Sequence, residues 1–378
     1  MARVFIDLPA GPQPTAEPPD EIATPKRPLP PGFLQDLMDA GAQRLGDGNP
    51  SSASRDTKEG KPMLGRFVLV GGPGQGKTTI SQFACQLHRA SILGTRPSTI
   101  LSREVRAALD ELAAHCDRGG TPTPICRRFP IRIILNHFAK ELSSQKEGAR
   151  SVLSYIARRI KNRTDQDVTA SDLRQWLETY SWLLILDGLD EVPPSSNRDD
   201  VLAAVQDFWV DAAECHADIL VLATTRPQGY EEDFSQRFYN HRYLAPLSRA
   251  RAMHYGTCLA AARYGNDKDR EQRIVARLRR ASAEEATARL MRSPLQVTIM
   301  ATLVDQTGQP PRERWRLFHE YYEVIYKREM ERDIPAANIL RDHKSNIDGI
   351  HSRVGLILQT ESETAHLPRF STGAGPLD

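Results

Sequence analysis

The chain has 378 residues, a length that suggests two or three domains and allows a large buried core. Apolar residues make up 40% and charged residues 26%, and 50 Lys and Arg against 48 Asp and Glu leave a net charge of +2. That balance gives no electrostatic reason to expect nucleic acid or a membrane surface as partner, and no run of about 18 apolar residues is present to span a bilayer.

The first segment, 1–61, holds 10 of the 26 prolines and reads as a mostly irregular arm ending in a polar linker, because proline removes the donors that helices and sheets need. Phe33, Leu34, Leu37 and Met38 share one helical face and predict a short helix inside it. Residues 1–14 carry one Arg and no long apolar stretch, so they do not read as a secretory signal. From Arg66 the pattern becomes strand, loop, helix. RFVLV is a buried-strand run, and Ile80, Phe83, Ala84 and Leu87 recur at helical spacing after the loop. Residues 128–135 predict a strand, and 150–161 and 171–180 predict helices. The unbroken apolar runs Trp182–Leu186 and Ile219–Ala223 suit strands covered on both faces of a parallel sheet. The expected class is therefore α/β, a three-layer sandwich with a mostly parallel sheet over 62–247. Beyond residue 247 strand signals fade, and Ile274, Val275, Leu278 and Ala281 mark an amphipathic helix. Leu317, Phe318, Tyr321, Val324 and Ile325 mark another, and Ile347, Ile350 and Val354 a third. A helical domain is expected over 248–335, with a further region over 336–378.

Two motifs carry chemistry. Residues 71–79, GGPGQGKTT, fit G-x-x-x-x-G-K-[ST] between a strand and a helix. Gly71, Gly72, Pro73, Gly74, Gln75 and Gly76 form a loop whose backbone N–H groups can turn inward to cradle phosphate oxygens. The following helix aims its positive end at the same place. Lys77 reaches the β- and γ-phosphates, the Thr78 hydroxyl can ligate Mg²⁺, and Thr79 completes the turn. The second motif, LLILDGLDEVP, places Asp187 at the C-terminal end of a strand, where open α/β sheets bind ligands. Asp187 suits a second Mg²⁺ contact through water, and either Asp190 or Glu191 can polarise an attacking water. Arg226 follows the strand ILVLATT, expected beside the Asp187 strand, where a planar cationic fork can sense a γ-phosphate.

Together GGPGQGKTT and DGLDE after four apolar residues resemble the NACHT group of STAND NTPases, relatives of the AAA+ ATPases. ATTRP at 223–227, LAPLS at 244–248 and Ser293-Pro294-Leu295 extend the likeness over roughly 62–330. The resemblance implies ATP or ADP with Mg²⁺ as cofactors, Arg226 aimed at the γ-phosphate, and Pro294 packed on the adenine. It implies a slow ATPase whose nucleotide state controls conformation and self-association, in antiviral defence for bacterial proteins of this type. It also implies that 336–378 begins a winged helix, where His351 is a candidate for the histidine that contacts the β-phosphate. The 110 residues between Lys77 and Asp187 are long for such a core, and no effector domain or sensing repeats are legible, so trigger and effector stay open. Two rival readings are an AAA+-like motor acting on nucleic acid or protein, and a P-loop kinase. Neither ATP against GTP nor Asp190 against Glu191 is decided by the residues.

The remaining features read blandly. Arg158, Arg159, Lys161 and Arg163 form a basic run without interleaved aromatic residues, which suits a solvated helix face better than nucleic acid. The histidines form no cluster with metal-ligand spacing. The five cysteines, Cys85, Cys116, Cys126, Cys215 and Cys258, contain no CxxC pair, so no zinc site or disulfide framework is expected and a cytoplasmic location fits.

Overall fold

A computed structural model of the chain describes residues 4–12, 32–43, 65–97, 99–144, 150–193, 197–306, 308–330 and 342–365. The chain divides into two compact units, Met1–Arg312 and Glu313–Asp378. The first unit contains a six-stranded sheet of β1 (Ala10–Gly11), β2 (Arg66–Val70), β3 (Phe129–Ile134), β4 (Trp182–Asp187), β5 (Ile219–Thr225) and β6 (Asn240–Leu244). Its order is β1-β6-β2-β5-β4-β3. The five long strands run parallel, and β1 alone runs antiparallel, with Ala10 opposite Leu244.

The central strands are buried along their whole length, as their unbroken apolar runs require. Val68, Val70, Leu184, Leu186, Val221 and Ala223 face one layer of helices: α4 (Leu135–Ser144), α5 (Val152–Thr164), α6 (Ala170–Thr179) and α7 (Arg198–Glu214). Alternate residues face the other way. There α2 (Lys77–Leu93) buries Ile80, Phe83, Ala84 and Leu87, the face read from the sequence. The helix α3 (Arg103–Gly119) follows α2 and is mostly exposed, burying Cys116.

The short helix expected in the arm is present as α1 (Phe33–Ala40), with Phe33, Leu34, Leu37 and Met38 buried. Phe33 packs edge-on against Phe67 of β2, so α1 shares the sheet face with α2. The irregular character of the arm does not mean that its described residues, 4–12 and 32–43, are loose. Ahead of α1, the arm lays β1 on the sheet edge and stacks Phe5 on Phe83, ring centroids 3.8 Å apart. The Asp7 carboxylate accepts from the Leu34 and Gln35 backbone amides, capping α1 across a chain separation that local patterns do not reveal. Arg128, wholly buried, pairs with Asp218 at 2.7 Å and donates to the Gly41 and Gln43 carbonyls after α1.

Helices take over after β6. The expected division at residue 247 falls inside the first unit, where it marks the change from strands to α8 (Arg249–Tyr264), α9 (Lys268–Ala283), α10 (Glu285–Ala288) and α11 (Pro294–Gln306). In α9 the residues Ile274, Leu278 and Ala281 are buried as the periodicity predicts. The second unit holds α12 (Arg314–Met330) and α13 (Lys344–Ala365), joined by a Tyr322–Asp348 hydrogen bond. His351 lies there, its ring edge-on to Tyr322. Ile350 and Val354 of α13 are exposed. Among the described residues no helix is long and apolar enough to cross a membrane.

Candidate functional site: a phosphate loop shared by sheet and helices

The loop between β2 and α2 is shaped by short-range bonds. The Gly71 amide donates to the Thr225 carbonyl at the end of β5, and the Gln75 amide donates to Gly72. Gly74 and Gly76 adopt left-handed φ values of 70° and 91°, which an ordinary side chain disfavours. At Gly74 a second constraint applies: a Cβ there would lie 2.5 Å from the Cβ of Leu295. The helical segment thus sits directly on the loop, and the Leu295 amide donates to the Gly74 carbonyl at 3.2 Å. The Ile80 amide bonds to Gly76 and starts α2.

A cleft of about 370 Å³ opens over this loop. Gly72, Pro73, Gly74, Gly76, Lys77, Thr78 and Thr79 form its floor. One wall comes from the strand ends: Gly188, Asp190 and Glu191 after β4, and Thr224 and Arg226 at the end of β5. The opposite wall is Tyr255 of α8 with Pro294, Leu295 and Thr298 of α11. Pro294 is the first residue of α11, where its missing N–H leaves no helix bond unmade. Tyr255 and Thr298 are joined by a 3.1 Å hydrogen bond. No spacing in the sequence singled out Tyr255 or Thr298 as wall residues; Leu295 entered only as the last member of the Ser293-Pro294-Leu295 motif.

Lys77, Asp190 and Arg226 are already engaged within the protein. Lys77 Nζ donates to the carbonyls of Gly71 (2.5 Å) and Gly72 (3.3 Å). Burial, the largest influence, lowers the Lys77 pKa; Asp190 opposes this and Arg226 adds to it. Gln75 turns back, its Oε1 accepting from the Gly72 amide, and neither it nor Gly71 lines the cleft. Arg226 Nε pairs with Asp190 Oδ2 at 2.7 Å. The Glu191 side chain has no ion pair or hydrogen bond among the described residues.

Asp187 is placed differently from its neighbours. It is 3% exposed and does not line the cleft. Its Oδ1 accepts from Thr224 at 2.5 Å, and its Oδ2 accepts from Ser81 at 3.3 Å and from Arg132 Nε at 2.9 Å. Arg132 Nη2 completes a salt bridge to the same oxygen at 2.5 Å. The sequence pointed to Asp187 but not to Arg132, which lies on β3 at Cα register with Ile185. No group of three or more His, Cys, Asp or Glu suited to a metal occurs among the described residues.

Strand β5 lies between β2 and β4, so the strand leading to the glycine loop and the strand carrying Asp187 are not neighbours. A parallel sheet of this order, with a G-x-x-x-x-G-K-T loop joining its central strand to a helix, decides the fold. The chain has a P-loop NTPase fold. No protein-family profile matches it, and no curated protein matches it. Solved structures that it resembles include PCH-2 of C. elegans, at 13% identity and a TM-score of 0.37 over 78% of this chain. A DNA replication initiation factor matches at 11% and 0.30 over 72%, and a RuvB mutant of Thermotoga maritima at 11% and 0.31 over 77%. The match covers 69%, 62% and 68% of those three chains, respectively. The likeness is distant in every case.

Proposed function

We propose that the chain binds ATP in this cleft, hydrolyses it slowly, and uses the nucleotide state to set the helical segment against the phosphate loop. The observation that carries this reading is the shared cleft: its floor belongs to the P-loop, and one wall belongs to α8 and α11. A nucleotide held there touches both, so the number of its phosphates can bias their relation, as a two-state switch requires. This is the behaviour of NACHT-type STAND proteins, which the motifs resemble. Self-association in the ATP form, a role in antiviral defence and a cytoplasmic setting belong to the same reading.

The geometry supports the following roles. Lys77 would exchange the loop carbonyls for the β- and γ-phosphates. Arg226, held by Asp190, would meet the γ-phosphate. Because Asp190 is committed to Arg226, Glu191 is the carboxylate free to accept a hydrogen bond from the attacking water. Pro294 would pack against the base. Mg²⁺ suits the oxygen donors present: Thr78, which lines the cleft, would hold it, and Asp187, at the end of β4, would be reached through water. When bound, the ion neutralises phosphate charge.

The test is nucleotide retention, turnover and assembly of the full chain beside Lys77→Ala and Glu191→Gln. Lys77→Ala should lose ADP and ATP affinity by at least about 100-fold. Glu191→Gln should bind normally and lose turnover by about 100-fold or more, the lower end of what a positioned acid or base contributes. It should also gather into larger species with ATP on size exclusion. Rapid turnover stimulated by nucleic acid or protein, with unchanged assembly, would favour the motor reading instead.

A further inference from the structure

The basic run on α5 is not uniformly solvated. Arg158 pairs with Glu141 at 2.5 Å, and Lys161 pairs with Asp167 at 2.5 Å. Arg159 and Arg163, four residues apart on one helix face, instead line a second cleft of about 430 Å³ between α2, α3, β3 and α5. Arg89, Gln82 and Gln86 of α2 and Arg132 of β3 complete its polar lining, and no carboxylate lines it. Arg159 is positioned by Tyr155, over whose ring its guanidinium carbon lies at 5.7 Å. Arg89 and Arg163 make no ion pair with any described carboxylate. Among the described residues only Arg132 of the four is neutralised, and its partner is Asp187.

Four guanidinium groups on three elements, with one counter-charge among them, form a site of strong positive potential. Their planar forks match phosphate oxygens pairwise. The cleft volume is that of a small-molecule site. A nucleic-acid strand would need stacking surfaces, and the aromatic ring in the wall, Phe83, is 1% exposed. We infer that this cleft binds a compact ligand carrying two or more phosphate groups, and that the ligand acts on the nucleotide site by drawing Arg132 away from Asp187. The Arg132 fork lines this cleft and also holds Asp187 at the end of β4, so a phosphate that engages it weakens its grip on Asp187 and leaves that carboxylate to the metal. The relation is reciprocal: whatever releases Arg132 from Asp187 strengthens the second cleft. The anion site stands on its own residues; only the coupling to metal rests on the nucleotide reading.

Tripolyphosphate, titrated calorimetrically in EDTA at physiological ionic strength, tests the inference. Saturating ADP occupies the P-loop, and Lys77→Ala repeats the measurement with the P-loop disabled. One site should remain in both, with similar affinity. The surface double variant Arg159→Gln/Arg163→Gln should weaken tripolyphosphate by at least tenfold and leave ADP affinity within twofold. Asp187→Asn, which frees Arg132, should tighten tripolyphosphate several-fold. Failure of ADP to bind would sink the nucleotide reading while the Lys77→Ala titration still judges the cleft. Absence of a site in both titrations, or indifference to the double variant, overturns the anion site. An unchanged affinity in Asp187→Asn overturns the coupling. A single-stranded oligonucleotide that displaces tripolyphosphate and binds more tightly overturns the assignment to a small ligand.

Discussion

The N-terminal arm and the phosphate loop are both rich in residues that break regular structure, yet they are held in opposite ways. The loop is fixed by its immediate neighbours: β2 before it, α2 after it, and bonds such as Gln75 to Gly72 between. The arm is fixed from far away. Arg251 Nη1 reaches the Asp7 carbonyl at 2.8 Å across 244 positions, and Arg128 binds the end of α1 across more than 80. Breaker residues therefore tell how the backbone runs locally and say nothing of what it docks against. The two regions meet, since a Cβ on Gly76 would lie 2.9 Å from the Leu8 side chain. The arm is part of the wall behind the loop.

That contrast breaks most directly at the buried pair beneath the arm. Asp218→Ala leaves the Arg128 charge buried without its partner and should cost about 3–5 kcal/mol in urea unfolding. A loss under about 1 kcal/mol would mean that the arm end is not anchored there. Phe5→Ala removes the ring stacked on Phe83 and should cost about 3 kcal/mol, the range for a buried aromatic residue. Lys77→Ala is the control in the other region: it should change unfolding by less than about 0.5 kcal/mol while nucleotide affinity collapses. Were Phe5→Ala as harmless as Lys77→Ala, the arm would be an ornament on the sheet. Asp7→Ala removes the cap of α1 and should cost about 1 kcal/mol.

The smallest effect is a pH dependence. His88, 1% exposed, accepts from the Arg128 amide through Nδ1, and burial lowers its pKa to about 4 from 6.5. The folded state holds it neutral while the unfolded state protonates below pH 6.5. Its contribution to stability is whole above pH 6.5 and is lost as pH falls from there toward 4. Between pH 6.5 and 6 the loss is about 0.4 kcal/mol. Stability measured across that interval should fall in the wild type and fall less in His88→Gln; equal slopes would show that His88 titrates normally.

Much of the sheet was legible because buried parallel strands are written as continuous apolar runs. Trp182–Asp187 and Ile219–Thr225 stand within two residues of their expected ends. The floor of the cleft was legible because a phosphate loop demands particular residues at fixed spacing. What escaped was set by long-range packing. The strand β1 has only two residues, too few for any alternation to show. Tyr255 and Thr298 are ordinary helix residues until α8 and α11 fold over the loop. Asp187 was recognised as a strand-end carboxylate, but its burial against Arg132 depends on β3 lying beside β4, which no motif states. The basic run on α5 was read as one face, whereas its members turn to different neighbours.

The two margins of the sheet have a bearing on solubility. An open margin is a row of unpaired N–H and C=O groups on which another chain can grow. Here the arm seals the β6 side with the two residues of β1, a strand too short to template a further one. On the far side β3 carries Pro130, which offers no donor. Displacing the arm would uncover β6 at Tyr243 and Leu244, so the segment that steadies the phosphate loop also guards the protein against edge-to-edge polymerisation.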